Sequence, residues 1–262
     1  MTSIRALLAT LFLTLTFVSS AQAATTKTDN DRDRLFQERT YMGKSLTFWL
    51  KALRDRNEEM ISDAFNAIYS LGDDAWVAVP ELSRIVGAPF EPIGIGTDST
   101  ETIASKLYDI SIRSEAIEAL GWIGEPAAPS TPSLLKWGLT QRMVPDYKRS
   151  SQNDELFIEL VAMDTEQKMR VAGAVSRLGR NTIPAVAKML ASPDFSKRKM
   201  AIAILSQDAL PVATELLRSD LCEDKRLGLR IMTDMDLVVS PVYIDELAHQ
   251  IAEKCGILTK VQ

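Results

Sequence analysis

The chain reads as an all-α protein: an α-solenoid, or superhelix, of about five stacked antiparallel helix pairs with two loop insertions. Three observations lead there. Apolar residues recur at helical spacing along most of the 262 residues, and strand signals are nearly absent. A turn recurs with fixed spacing: Ala64-x-x-Ala67-Ile68-x-x-Leu71-Gly72-x-x-Ala75-x4-Pro80 overlays Ala116-x-x-Ala119-Leu120-x-x-Ile123-Gly124-x-x-Ala127-x4-Pro132, 52 residues on. An arginine recurs at the matching place in the units, Arg113, Arg170, Arg198 and Arg226, before alanines in the first three, and the last three are 28 residues apart. Periods of roughly 20 to 50 residues mark stacked repeats, each unit burying the face that its neighbour leaves open.

The first segment is expected to leave the protein. Arg5 is the only charge before Lys27, the apolar stretch Ala6 to Val18 is short for a membrane span, and Ala21-Gln22-Ala23 is a small-residue cleavage site. Residues 1–23 therefore read as a signal peptide that sends the chain to the periplasm or the exterior. No cysteine follows the site to carry a lipid. Residues 24–40, polar and nearly free of aromatic residues, read as a flexible leader, and residues 41–262 as the helical domain. The formal net charge is −5, and losing Arg5 makes the mature chain one unit more acidic. That balance, with export, argues against nucleic acid as a partner. No later run approaches the roughly 18 apolar residues of a membrane span, so no membrane insertion is expected after cleavage.

In the domain, Leu46, Trp49, Leu50 and Leu53 form one helical stripe with Ser45 at its N-cap, and Ile61, Ala64, Phe65, Ile68 and Leu71 form the next, with Gly72 at the C-terminal cap position. Gly124 closes the matching helix one repeat later, while Gly121, in its last turn, eases packing. Ala174-Val175-x-x-Leu178-Gly179 with Pro184 is a third copy, and Ala203-Ile204-Leu205 with Pro211 a fourth that lacks the glycine. Glycine suits a positive φ and proline the first helical turn, so each copy reads as helix, tight corner, helix. Two insertions, residues 88–108 and 140–164, break the series at the same kind of junction. A helix over Glu223 to Met235 and a closing helix over Pro241 to Lys254 complete the chain.

These residues resemble the bacterial HEAT repeats, especially the short HEAT-like type first noted in phycobilisome lyases. The likeness rests on Ile112-Arg113 through Ile123-Gly124, Met169-Arg170 through Leu178-Gly179, and Lys197-Arg198 through Leu205; Tyr41 to Asp55 looks like the first helix of secreted members. It extends over roughly residues 41–254 and implies a fold far more than a function.

Candidate chemistry is sparse. Gly43-Lys44-Ser45 imitates the end of a phosphate-binding loop, but Glu38 stands where the earlier glycine belongs and no strand precedes it. The only histidine, His249, lacks a partner pattern for a base or ligand. Asp73-Asp74 and Glu58-Glu59 sit at helix starts, where carboxylates favour the positive end of the dipole. No catalytic set, metal site or cofactor is expected. The expected role is non-catalytic: a scaffold or adaptor binding another envelope protein through its concave surface and its inserted loops. The alternatives are a HEAT-like enzyme of the lyase or base-excision type, or a structural envelope component.

Three residue groups carry that reading. Trp76, Trp122 and Trp137 lie near turns, and Phe90, Ile93, Ile95, Met143 and Tyr147 give the insertions apolar content, so these eight are the candidate partner anchors; Trp49, on an apolar stripe, reads as core. The resemblance implies that the recurring arginine pairs with an acid one turn earlier, as Asp109 with Arg113 and Asp194 with Arg198. With Arg170 and Arg226 these form either a structural interlayer ladder or an anion-binding strip. Cys222 and Cys255, the only cysteines, are expected to bridge the last two helices if those pack antiparallel.

Overall fold

A computed structural model describes residues 40–144, 153–235 and 241–255. The expected signal peptide, nearly all of the leader, and Tyr147 lie outside the described residues. Among those described, eleven α-helices and four two-residue strands are present, and the chain divides into two compact units that meet in sequence at Gly179 and Arg180.

The first unit opens with β1 (Thr40–Tyr41) and β2 (Lys44–Ser45), an antiparallel hairpin. Its two-residue turn, Met42 and Gly43, has φ of 50° and 72°, the double left-handed geometry that short hairpins favour. Gly43-Lys44-Ser45 is thus a hairpin corner. Ser45 then accepts a hydrogen bond from the Phe48 N–H at 3.3 Å and starts α1 (Leu46–Arg54). The hairpin is fastened to that helix by Trp49, whose Nε1 donates to the Tyr41 carbonyl at 3.1 Å while its ring is buried.

α2 (Glu58–Leu71) runs on into a 3₁₀ helix, Gly72–Ala78, and α3 (Val79–Gly87) follows with Pro80 in its first turn. Gly72 therefore continues a helix, where a left-handed stop was expected. The second copy does stop: α4 (Thr100–Ile123) ends at Gly124 with φ 72°, a 3₁₀ helix over Glu125–Ser130 turns the corner, and α5 (Thr131–Leu139) starts with Pro132. α6 (Asn153–Arg177) leads to Gly179, again with positive φ, 75°. Consecutive helices alternate between two layers: α2 packs on α4 and α4 on α6, while α3 packs on α5, and α3–α4 and α5–α6 join the layers. Where α4 crosses α6, a Cβ on Gly121 would lie 3.1 Å from the Ala174 Cα, so the small residue sets how closely the helices approach.

The insertions are shorter than expected. Residues 100–108 are the first turns of α4, begun by Ser99, which accepts from the Thr102 N–H at 3.2 Å. Residues 153–164 likewise belong to α6. Much of the inserted length extends helices, which keep their backbone groups bonded internally. The remaining loops meet: β3 (Ile93–Gly94) pairs in parallel with β4 (Met143–Val144), and the Ile93 N–H donates to the Arg142 carbonyl at 2.8 Å.

In the second unit a 3₁₀ turn, Arg180–Thr182, precedes α7 (Ile183–Leu190), α8 (Phe195–Leu205), α9 (Ala209–Arg218), α10 (Cys222–Asp234) and α11 (Pro241–Lys254). α7 packs on α8, α8 and α9 on α10, and α10 on α11. A disulfide joins Cys222, at the head of α10, to Cys255, just past α11, with the Cα atoms 5.8 Å apart. The corner after α8 has no glycine, yet Ser206 takes φ 51° and ψ −121° there, close to the 72° and −138° of Gly124.

A side chain at positive φ costs on the order of 1 kcal/mol. Ser206→Gly is therefore expected to stabilise the chain by about 1 kcal/mol, and Gly124→Ala to destabilise it by a similar amount; urea midpoints give both signs, and a destabilising Ser206→Gly would contradict the geometry. Reduction of the bridge, which spans 33 residues, is expected to cost about 3 to 4 kcal/mol under the chain-entropy model. Hydrogen exchange would locate the loss: α11 should exchange first in the reduced protein.

Candidate functional site

The layer of α2, α4 and α6 turns one face away from the core. On α4 that face carries Tyr108, Ser111, Glu115, Glu118 and Trp122, spaced at helical intervals, and on α6 it carries Ile158, Val161, Thr165 and Met169. The core side of the same helices buries Ile112, Ala116, Ala119, Leu120 and Ile123 on α4, and Leu160, Val171, Ala174 and Val175 on α6. α6 is thus apolar on two sides, and α4 adds the exposed aromatic residues Tyr108 and Trp122 to a polar outward face. The outward set is well exposed: Trp122 to 57 %, Met169 to 58 % and Ile158 to 67 %, with Tyr108 and Val161 also open. Several exposed large apolar residues on two packed helices mark a candidate interaction site.

A polar network crosses the face. Tyr69 of α2 donates its hydroxyl to Glu115 Oε2 at 2.9 Å, and its ring meets Trp122 edge-on, with centroids 6.5 Å apart. Glu118 accepts from Arg170 Nη1 of α6 at 2.9 Å, and Arg170 also donates twice to Glu166 Oε1, at 3.0 and 2.7 Å. Hydrogen bonding to Glu166 is the main reason that the Arg170 guanidinium sits above its ordinary value, burial acting against it. Tyr69, Glu115, Glu118 and Trp122 line a depression of about 310 Å³. Three carboxylates facing one guanidinium leave it acidic, and an exposed indole at its edge supplies a rigid anchor.

The other expected anchors are placed differently. Trp137, Ile93 and Ile95 are buried and form interior, because the paired insertions fold over the ends of α3 and α5. Trp137 is held between two guanidiniums, Arg113 at 4.6 Å and Arg142 at 4.4 Å from its ring, with Phe90 edge-on at 5.2 Å. Its Nε1 lies 3.5 Å from Gln167 Oε1, and Gln167 in turn donates to Ser114 Oγ at 2.7 Å. Phe90, Met143 and Trp76 are half-buried. Among the described residues of the two insertions, Ile93 and Ile95 thus belong to the interior, and Phe90 and Met143 are only partly open. Trp122 alone of the three turn tryptophans stands open.

The recurring arginines also divide. Arg113 is buried, pairs with Asp109 at 2.7 Å, and donates to the carbonyls of Val86, Ala88 and Pro89 at 2.9 to 3.1 Å. Arg198 does the same at the end of α7, bonding the Ser192 and Pro193 carbonyls, but its close carboxylate is Asp234 of α10. Asp194 accepts from the Ser196 N–H as the N-cap of α8. Arg170 belongs to the surface network above. Arg226 is exposed and makes no ion pair with a described residue. Arg113, Arg170 and Arg198 each reach another helix, and each answers to the carbonyls and carboxylates nearest it.

Arg142 was not legible as a site residue. It is buried, bonds Asp164 on α6 at 2.6 Å and the Trp137 carbonyl, and burial pulls its guanidinium below the ordinary arginine value, against the pull of Asp164. Tyr69, Glu115 and Glu118 were likewise missed, because their meeting depends on how α2 lies against α4. Met169, Ile158 and Val161 did carry a signal: apolar residues at helical spacing opposite the stripe Leu160, Val171 and Val175. His249 is exposed on α11, and no group of three or more metal-ligating side chains occurs among the described residues.

Burial first, and the Glu115 hydrogen bond second, push the Tyr69 hydroxyl above the ordinary tyrosine range. In the unfolded chain a tyrosine releases its proton near pH 10. Its contribution to stability is therefore complete below about pH 10 and is lost as pH rises beyond, where only the unfolded chain ionises. Absorbance titration of the folded protein is expected to show no difference between wild type and Tyr69→Phe around pH 10, and the alkaline fall in stability is expected to be smaller in the variant. A Tyr69 step in the ordinary range would contradict the geometry.

Against this geometry no family model, no curated protein and no solved structure gives a match to the chain.

Proposed function

We propose that this chain is an exported, non-catalytic scaffold of the HEAT-like type, a solenoid of about five helix pairs, that holds a protein partner on the outward face of α2, α4 and α6. The observation that carries the reading is the second apolar stripe. Trp122, Met169, Ile158, Val161 and Tyr108 lie open on helices whose core stripes are already filled. Exposed apolar surface is disfavoured in water at roughly 25 cal/mol per Å², so covering it rewards a partner.

Other features support the same reading. The helix and corner series and its recurring Ala, Gly and Pro positions favour stacked repeats, which present extended binding surfaces. A cleavage-type Ala21-Gln22-Ala23 site and a cysteine pair joined as a disulfide suit an oxidising compartment such as the periplasm. The depression beside Trp122 adds Glu115 and Glu118, and Glu166 pairs with the same Arg170 as Glu118, so the face favours a partner that combines apolar residues with basic ones. Trp122 is the expected hot spot, being aromatic and ringed by polar groups.

A photo-reactive amino acid placed at position 122 or 169 is expected to give a discrete cross-linked adduct in the envelope, whereas one at exposed Phe195 gives none. With the partner in hand, Trp122→Ala should weaken binding by about 2 kcal/mol. Equal adducts from all three positions, or none from 122 and 169, would overturn the reading.

A further inference from the structure

The second unit contains a groove of about 860 Å³ between α7 and the first half of α10. One wall is Pro184, Ala185, Ala187 and Ala191; the other is Leu221 and Leu227. Small alanines on α7 make the groove deep. Leu221 is the unusual member. It occupies the N-cap of α10, where Ser, Thr, Asp or Asn normally caps the helix, makes no side-chain cap bond, and stays 54 % exposed. Its exposed side chain lines the groove.

Three cations stand along the same walls: Lys188 on α7, and Arg226 and Arg230 on α10. None of them forms an ion pair with a described residue. Arg226 and Arg230 are one turn apart, where like charges repel. Arg226 also stands 28 residues after Arg198, yet Arg198 has a carboxylate partner and Arg226 has none. Two acids share the lining at the head of α10. Asp224 is buried and accepts from Ser219 Oγ at 2.7 Å, and Glu223 is exposed. The lining therefore carries three cations, unpaired among the described residues, against one exposed acid.

We propose that this groove binds a small amphiphilic anion, an apolar body lying against Leu221, Leu227 and the alanines with a carboxylate or phosphate head at Arg226, Arg230 and Lys188. The volume is in the range of small-molecule sites, roughly 300 to 1,000 Å³. Guanidinium groups suit either head through paired N–H donors. An extended peptide fits less well. The walls are side chains of two helices whose backbone groups are bonded internally, so no strand edge is offered to a peptide backbone.

The test uses the mature, disulfide-intact chain and calorimetric titration with monomeric decanoate, decyl phosphate, decanol and decyltrimethylammonium. One decanoate or decyl phosphate should bind per chain, about tenfold or more tighter than decanol, and decyltrimethylammonium more weakly still. The ratio of the two anions identifies the preferred head. Arg226→Ala with Arg230→Ala, both exposed positions, should bring the anions down to the level of decanol. Ala185→Trp should fill the groove and abolish all binding, and an unchanged unfolding midpoint separates blockage from misfolding. Should that variant misfold, the arginine pair decides alone. Absent binding, equal binding of anion and alcohol, or undiminished affinity in the arginine variant overturns the proposal. An acidic amphipathic helix that binds where the decyl anions do not overturns it in favour of protein docking.

Discussion

The carbonyl groups at the end of a buried helix govern much of the first unit. A helix leaves its last four carbonyls without an intrahelical partner, and where the end is buried, as at Val86, water cannot serve them. At the end of α3 four successive carbonyls are each satisfied from another helix: Val86, Ala88 and Pro89 by Arg113, and Gly87 by Lys136 at 3.2 Å. The guanidinium that does this is itself buried and depends on Asp109 for its charge. Removing one partner from such an arrangement costs about 3 to 5 kcal/mol, because the charge or the carbonyls stay behind unpaired. α3, α4 and α5 are thus tied together at one point, and the insertions are arranged around it.

Their arrangement follows from the same need. Arg142 bonds the Trp137 carbonyl at the end of α5, as Arg113 serves α3, and both guanidiniums stack on the Trp137 ring. Two like charges approach one aromatic face pair only because Asp109 and Asp164 stand behind them. The β3–β4 pairing then closes the edge with Ile93 and Ile95 inside. Among the described residues of the first unit, the large apolar side chains left open lie on α4 and α6, at Met42 in the β1–β2 turn and at Phe48 of α1.

Several local signals translated directly because they depend on neighbours in sequence. Ser45 caps α1, Pro80, Pro132 and Pro184 stand in first helical turns, and Gly124 and Gly179 take positive φ. Elsewhere local rules were ambiguous. Gly72 has the spacing of Gly124 but continues a 3₁₀ helix, and Ser206 adopts a glycine-like φ without being glycine. In both cases packing of the adjoining helices decides the corner. Tryptophans near turns were equally ambiguous: Trp122 and Trp137 have similar local contexts, and only the loop folded over the second one buries it.

By itself, the sequence determined the helical class, the corners at Gly124 and Gly179 and the apolar stripes that form the core, since each depends on the 3.6-residue period or on the φ preference of one residue. Tertiary structure alone decided which charges meet and which apolar residues stay open. Arg142 finds Asp164 across 22 residues, Tyr69 finds Glu115 across 46, and Arg198 chooses Asp234 over the nearer Asp194. Such choices depend on the distance between helices that packing sets, and an ion pair or hydrogen bond exists only within a few ångströms. No periodicity records that distance, so the polar network beside Trp122 and the groove depend on how the helices pack.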